Sequence, residues 1–189
     1  MQEQMKKQTI VNGINVDELL GTIDAIKEQP ELAKFQFRAS NKWVSGTNNR
    51  TTVNELYGAG QEHARENPFM IEKDEPQILL GTDIGANPVE YALTALAGCL
   101  TTTLVCFAAA QGIELKEVES RFEGDADLRG FLGLDENTRM GCENIRATFH
   151  IKSDAPQEKI QELIELAQNR SGVFDMLANK VPISITLAA

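Results

Sequence analysis

NPVEYALTALAGCLTTTLVCFAAAQG, residues 87–112, is the stretch on which the reading of the chain turns. No charged residue occurs from Tyr91 to Ile113. Asn87 suits an N-cap, Pro88 the first helical position, and Glu90 the place from which a capping-box carboxylate reaches back to the cap. Gly112 stands where a helix commonly ends in the left-handed conformation. Between them lie Ala and Leu, with Gly98 the one interruption. At about 1.5 Å per residue this predicts a helix roughly 36 Å long. It is apolar nearly all round, so burial on most sides is expected. Cys99 lies at its middle.

A run of this length also matches a membrane span. Three features oppose that reading: the polar triplet Thr101, Thr102 and Thr103, the large share of near-neutral Ala, and acidic flanks at Glu90 and Glu114 with no basic anchor nearby. The expectation is the central helix of a soluble core.

The chain of 189 residues is 42% hydrophobic and 24% charged, the composition of one globular domain. A net charge of −10 argues against nucleic acid or an anionic membrane surface as partner, since both need a basic patch. No basic start followed by an apolar run marks a signal peptide. Three cysteines, an odd number, then suggest reduced thiols and a cytoplasmic location.

Outside the central stretch, residues 1–14 read as a mobile lead-in. Asn15 caps a helix with apolar residues at Val16, Leu19, Leu20, Ile23 and Ile26, ended by Pro30. Residues 1–30 are therefore expected to form an N-terminal helical extension to a single domain over residues 31–189. From Lys34 the period becomes two, through Phe35, Phe37 and Ala39 to Trp43 and Val44. A turn at residues 46–49 and a returning strand from Arg50 to Tyr57 complete a hairpin. Short strands are expected at residues 69–71 and 78–80, and longer ones over residues 113–128 and 145–151. A helix opens at Asp154 and Pro156, Gly172 interrupts it, and Val181 to Leu187 alternates as a final strand. The order implies α+β, a mostly antiparallel sheet around a buried helix.

Cys99 has two readings: a small apolar core residue, or a reactive thiol. The second requires a group that favours the thiolate, and Cys99 lies about three turns into its helix, beyond reach of that helix's own dipole. Cys106 shares its face, but two turns separate the Cα atoms by roughly 10.5 Å. A disulfide needs less than about 7 Å, so the pair cannot bridge within one helix. Cys142 falls in a loop or at a strand edge. His63 and His150 show no metal-ligand spacing, and neither a metal nor a cofactor is expected. Arg50, directly after a turn, is either a solvated hairpin charge or a functional one.

The motif NPVEYALTALAGCL resembles the OsmC/Ohr family of thiol peroxidases, with Cys99 in the nucleophile position. EGDADLRGFLGL, IRATFHIKSDAP, IQELIELAQNRS and VPISITL follow in the family's order, so the likeness covers residues 34–189. The resemblance implies an OsmC-like fold whose sheets clasp the central helix, and an intertwined homodimer with sites at its interface. It implies that a Cys thiolate attacks the O–O bond of an organic hydroperoxide and that a second Cys resolves the sulfenic acid. It further implies an Arg beside the thiolate, for which Arg50 comes first and Arg38 second, and a carboxylate that holds the Arg. That carboxylate, ten residues before the Cys, is Val89 here, and Glu90 is one place late, about 100° round the helix. The resolving position is Ser171. Two functions follow: weak or altered reduction of a small hydrophobic hydroperoxide with an external thiol reductant, or non-catalytic binding of a small ligand by the same dimer.

Overall fold

The computed structural model describes residues 8–188. In chain order the elements are β1 (Ile10–Val11), β2 (Ile14–Asn15), α1 (Val16–Glu28), β3 (Gln36–Phe37), β4 (Ser40–Ser45), β5 (Asn48–Gly58), β6 (Gln61–Lys73), α2 (Pro88–Ala110), β7 (Leu115–Ala126), α3 (Leu128–Phe131), β8 (Cys142–Ser153), α4 (Gln157–Arg170) and α5 (Gly172–Ala178). This is the expected α+β order with antiparallel pairing throughout the two larger sheets. The chain divides into two compact units: residues 8–9 and 15–92, and residues 10–14 and 93–188.

In the first unit α1 begins as its sequence dictates, with the Asn15 side chain accepting the Glu18 N–H. None of its residues is buried, and Leu20 and Ile23 are exposed. β5 is the centre of the sheet, pairing with β3 and β4 on one side and β6 on the other. The expected hairpin is present, but its first strand is broken at Arg38 and Ala39 into β3 and β4. β6 corrects the sequence reading more strongly. Thirteen residues run as one strand where only residues 69–71 were expected. Pro68, which argues against a strand, is accommodated where the register with β5 shifts between Val53 and Glu55. There the Arg65 guanidinium donates to the Asn54 carbonyl at 2.9 Å. The strand expected at residues 78–80 is instead a 3-10 turn over Gln77–Leu79.

One buried carboxylate ties the hairpin turn to the loop after β6. Asp74 is 1% exposed. It accepts the Thr47 hydroxyl at 2.5 Å, the Glu75 N–H at 2.9 Å, and the Thr82 N–H and hydroxyl at 2.9 and 2.5 Å. Four donors on one carboxylate hold its proton affinity far below the usual range, the Thr47 hydroxyl acting most. Gly81 permits the tight loop, since a Cβ there would lie 1.7 Å from the Glu75 carbonyl oxygen.

In the second unit the Asn12-Gly13 pair turns with both φ positive, +53° and +76°. This is the preferred chemistry of a two-residue hairpin. The Asn12 amide donates to the Ile113 carbonyl and its oxygen accepts the Leu115 N–H, at 2.9 and 2.8 Å. Residues 10–14 are thus anchored, which corrects the lead-in reading; residues 1–7 lie outside the described residues. β7 and β8 form a long antiparallel pair from Leu115 opposite Ser153 to Ala126 opposite Cys142, with a register shift near each end. The core gathers Ala108, Ile160 and Leu163 with Phe107, Ile113, Leu115 and Ile151, so that α2, α4 and the β7–β8 pair share one apolar centre.

α2 carries its predicted capping box: the Glu90 N–H donates to the Asn87 side chain and the Glu90 carboxylate accepts the Asn87 N–H, both at 2.8 Å. Its burial is narrower than expected. Leu96, Leu100, Leu104 and Ala108 are buried, a stripe at four-residue spacing, together with Ala109. Ala95, Gly98 and Thr102, on another face, are exposed. The remaining positions of the helix are partly covered or exposed. The final strand is also corrected. Residues 181–187 form no ladder, and Ile183, Ile185 and Leu187 are 83%, 92% and 99% exposed.

Candidate active site

Cys99 is partly buried on α2, and its surroundings are built by the junction of α4 and α5. α4 ends at Arg170, and Ser171 caps α5, its hydroxyl oxygen accepting the Phe174 N–H at 3.1 Å. A Ser before a helix start is a strong N-cap, and the cap leaves the first N–H groups of α5 without intrahelical partners. Those of Gly172 and Val173, after the Ser171 side chain, favour the ionised form of the Cys99 sulfur. Burial pushes the thiol up, but these donors outweigh it, and the net direction is below an ordinary thiol. Thr103 assists least: its single hydroxyl proton already donates to the Cys99 carbonyl at 2.8 Å.

The thiolate-favouring group that Cys99 requires is therefore a set of uncharged donors from another helix. Ser171, the position of the missing resolving Cys, is 2% exposed and lies against Cys99. The Ser171-Gly-Val sequence carried this signal as a helix cap.

The candidate cations belong to the first unit. Arg50 on β5 is directly opposite Glu72 on β6, and its Nε donates to the Glu72 carboxylate at 2.7 Å. Glu72 is fixed in turn. The buried Asn48 amide donates to its second oxygen at 2.8 Å, and the Tyr91 hydroxyl donates to its backbone carbonyl at 2.8 Å. Hydrogen bonding to Arg50 first, then to Asn48, lowers the Glu72 pKa, and the pairing raises that of Arg50. Arg38 donates twice to Glu62, at 2.6 and 2.8 Å, a fork that Arg50 with its single bond does not make. Glu90 serves the cap of α2, and Val89, at the place of the absent family carboxylate, is 43% exposed. Glu72 was not singled out from sequence, because Pro68 concealed the strand that brings it opposite Arg50.

A cavity of about 500 Å³ lies along the buried stripe of α2 in the second unit. Its walls are Leu96, Leu100 and Leu104 of α2, Ile145, Ala147 and Phe149 of β8, and apolar residues of α4 and α5. Cys142, the first residue of β8, lines it as well. His63 bonds the Gly58 carbonyl at 3.0 Å through its ring, and His150 is exposed. Among the described residues no group of three His, Cys, Asp or Glu side chains is placed to hold a metal.

The fold is similar to those of several solved proteins. An OsmC-like protein from Mycoplasma pneumoniae aligns with a TM-score of 0.57 at 19% identity, over 76% of this chain and 87% of that one. An OsmC-like protein of unknown function from Vibrio cholerae aligns at 0.54 and 12% identity, over 74% and 92%. A hypothetical protein from Aquifex aeolicus aligns at 0.52 and 12%, over 76% and 87%. No curated protein sequence matches the chain. The family model for OsmC-like protein matches residues 81–186, more than half of the sequence, including α2 with Cys99, the β7–β8 pair and the Ser171 cap. By that match and by the fold, the chain belongs to the OsmC-like family.

Proposed function

We propose that the protein reduces organic hydroperoxides at Cys99 and relies on an external thiol to complete the cycle. The observation that carries this reading is the partly buried Cys99 beside the Ser171 cap of α5, whose hydroxyl and following N–H groups hold its thiol below the ordinary value. Such donors favour the thiolate, the form that acts as nucleophile. The thiolate attacks one oxygen of ROOH; the O–O bond breaks, Cys99 becomes a sulfenic acid, and the alkoxide takes a proton to leave as ROH. An external thiol then condenses with the sulfenic acid, releasing water and forming a mixed disulfide. A second thiol restores Cys99 and carries off the disulfide. Ser171 cannot serve as the resolving thiol, and Cys106 lies two turns away on the same helix.

The resemblance makes Arg50 the candidate cation of this reading, and within the first unit Glu72 holds its guanidinium as the carboxylate that Val89 does not supply would. The working form is a cytoplasmic homodimer, supported by the exposed Ala95, Gly98 and Thr102 face of α2 and by the unburied apolar stripe of α1. A second reading, binding of a small apolar ligand without turnover, draws support from the cavity beside α2, whose walls do not include Cys99. A panel of hydroperoxides assayed with monothiol and dithiol reductants tests the first: turnover should be present and abolished by Cys99→Ser. Tight binding of an apolar probe with no turnover for any pair would favour the second.

A further inference from the structure

Glu72 is held more firmly than an ion pair at a protein surface requires. One oxygen of its carboxylate accepts the Arg50 Nε at 2.7 Å, and the other accepts the Asn48 amide at 2.8 Å. Its backbone carbonyl accepts the Tyr91 hydroxyl at 2.8 Å. Gly85 packs against the same peptide, where a Cβ would lie 2.5 Å from the Glu72 carbonyl oxygen. The Asn48 amide donates again to the Lys73 carbonyl at 3.1 Å, and the buried Asp74 follows directly. Three segments of the first unit therefore converge on one residue: β5, the loop after β6 and the start of α2. An exposed ion pair contributes little to stability, and the Arg50 side chain is half exposed, so stability alone does not account for this scaffold.

The two candidate cations differ in what their pairing leaves over. Arg38 commits Nε and both terminal nitrogens to Gln36 and Glu62. Arg50 commits Nε alone, and its terminal nitrogens carry no bond among the described residues. Glu62 lacks the support that Glu72 has: among the described residues its carboxylate bonds Arg38 alone. A planar guanidinium fixed through Nε holds its terminal N–H groups in a set orientation for an incoming oxygen. We propose that Tyr91 and Asn48 are positioning residues: they fix Glu72, Glu72 fixes Arg50, and the terminal nitrogens of Arg50 stay open for the hydroperoxide oxygens.

Each residue suits its part. Asn48 is 4% exposed, and its one amide nitrogen serves both the Glu72 carboxylate and the next carbonyl, which sets side chain and backbone together. Tyr91 precedes Cys99 by eight residues on α2, about two turns. Its hydroxyl ties Glu72 to the helix that carries the nucleophile. A small displacement of a positioned group lowers rate long before it unfolds a protein. The inference rests on the hydroperoxide reading above, with Arg50 as its cation, and adds the residues that act through Glu72.

Steady-state kinetics of the full chain with an organic hydroperoxide and a thiol reductant test it, because a ping-pong cycle gives a separate kcat/KM for each half. Tyr91→Phe keeps the ring and loses only the hydroxyl. It should lower kcat/KM for the hydroperoxide by about tenfold and leave that for the thiol unchanged. Asn48→Ala should do the same. Neither change should lower the hydroperoxide constant further in an Arg50→Met background, since both act through Arg50. A fall in both halves alike, or a full loss retained in the Arg50→Met background, would make the two residues structural and overturn the inference. A wild-type constant for either variant, with a loss in Arg50→Met, would overturn it for that residue and leave the part of Arg50 intact. An Arg50→Met protein with a wild-type hydroperoxide half would overturn the inference together with the part of Arg50. Absence of turnover with every hydroperoxide would remove the reading on which it rests.

Discussion

A cysteine three turns into a helix has no claim on that helix's dipole, so Cys99 depends on what faces it. The neighbours are the Ser171 hydroxyl and the first N–H groups of α5. Ser171→Ala removes one donor, and the alkylation midpoint of Cys99 should therefore move up in pH. The same change removes the α5 cap and should cost about 1 kcal/mol of stability. Ser171→Thr, which keeps the hydroxyl, should restore most of the midpoint, separating the two effects. At this scale the sequence was partly legible. Cys99 stood out by its place in the motif, and Ser171 by its position. The donors did not stand out, because backbone N–H groups carry no residue signature. Glu72 stayed hidden for a different reason: cross-strand partnership depends on register, and Pro68 obscured the strand that sets it.

Elements with a strong period and proper caps were read well. α1, α2 and α4 begin and end within a few residues of their signals, since Asn15, Asn87, Pro156 and Gly112 act locally. β6 was missed because a wide register shift absorbs its proline, and the Asn12-Gly13 hairpin because its strands are only two residues each. Two consequences can be measured. Leu104 is fully buried in the α2 stripe, and Leu104→Ala should cost about 2–5 kcal/mol, read as a lower denaturation midpoint. Asp74 is held ionised by four donors, so its contribution to stability is complete above its unfolded pKa near 4. It should be lost as pH falls through that value toward the lower folded one. Asp74→Asn should flatten the acid limb of the stability–pH profile as well as lower the melting temperature, because an amide nitrogen cannot accept from Thr82.

For the molecule as a whole, composition and element order led to α+β, and the motif order led to the family. What one chain's sequence does not reveal is which apolar faces are covered by the same chain. α2 reads as buried all round, yet one chain covers a single stripe, and residues 181–187 read as a strand with no strand beside them. Both faces are accounted for if a second copy supplies the missing layers. Light scattering should then give twice the chain mass at micromolar concentration, with an interface burying well over about 2,000 Å².

The central claim is that Cys99 reacts with hydroperoxide and has no internal thiol to resolve it. Intact mass spectrometry after one equivalent of an organic hydroperoxide tests this most directly. The account predicts a gain of one oxygen, located at Cys99 by peptide mapping and abolished by Cys99→Ser. Excess oxidant should add a second oxygen, and a dithiol added before the excess should return the original mass. An unchanged mass would contradict the claim, and a loss of two hydrogens with a Cys99–Cys142 disulfide in the map would contradict its second half.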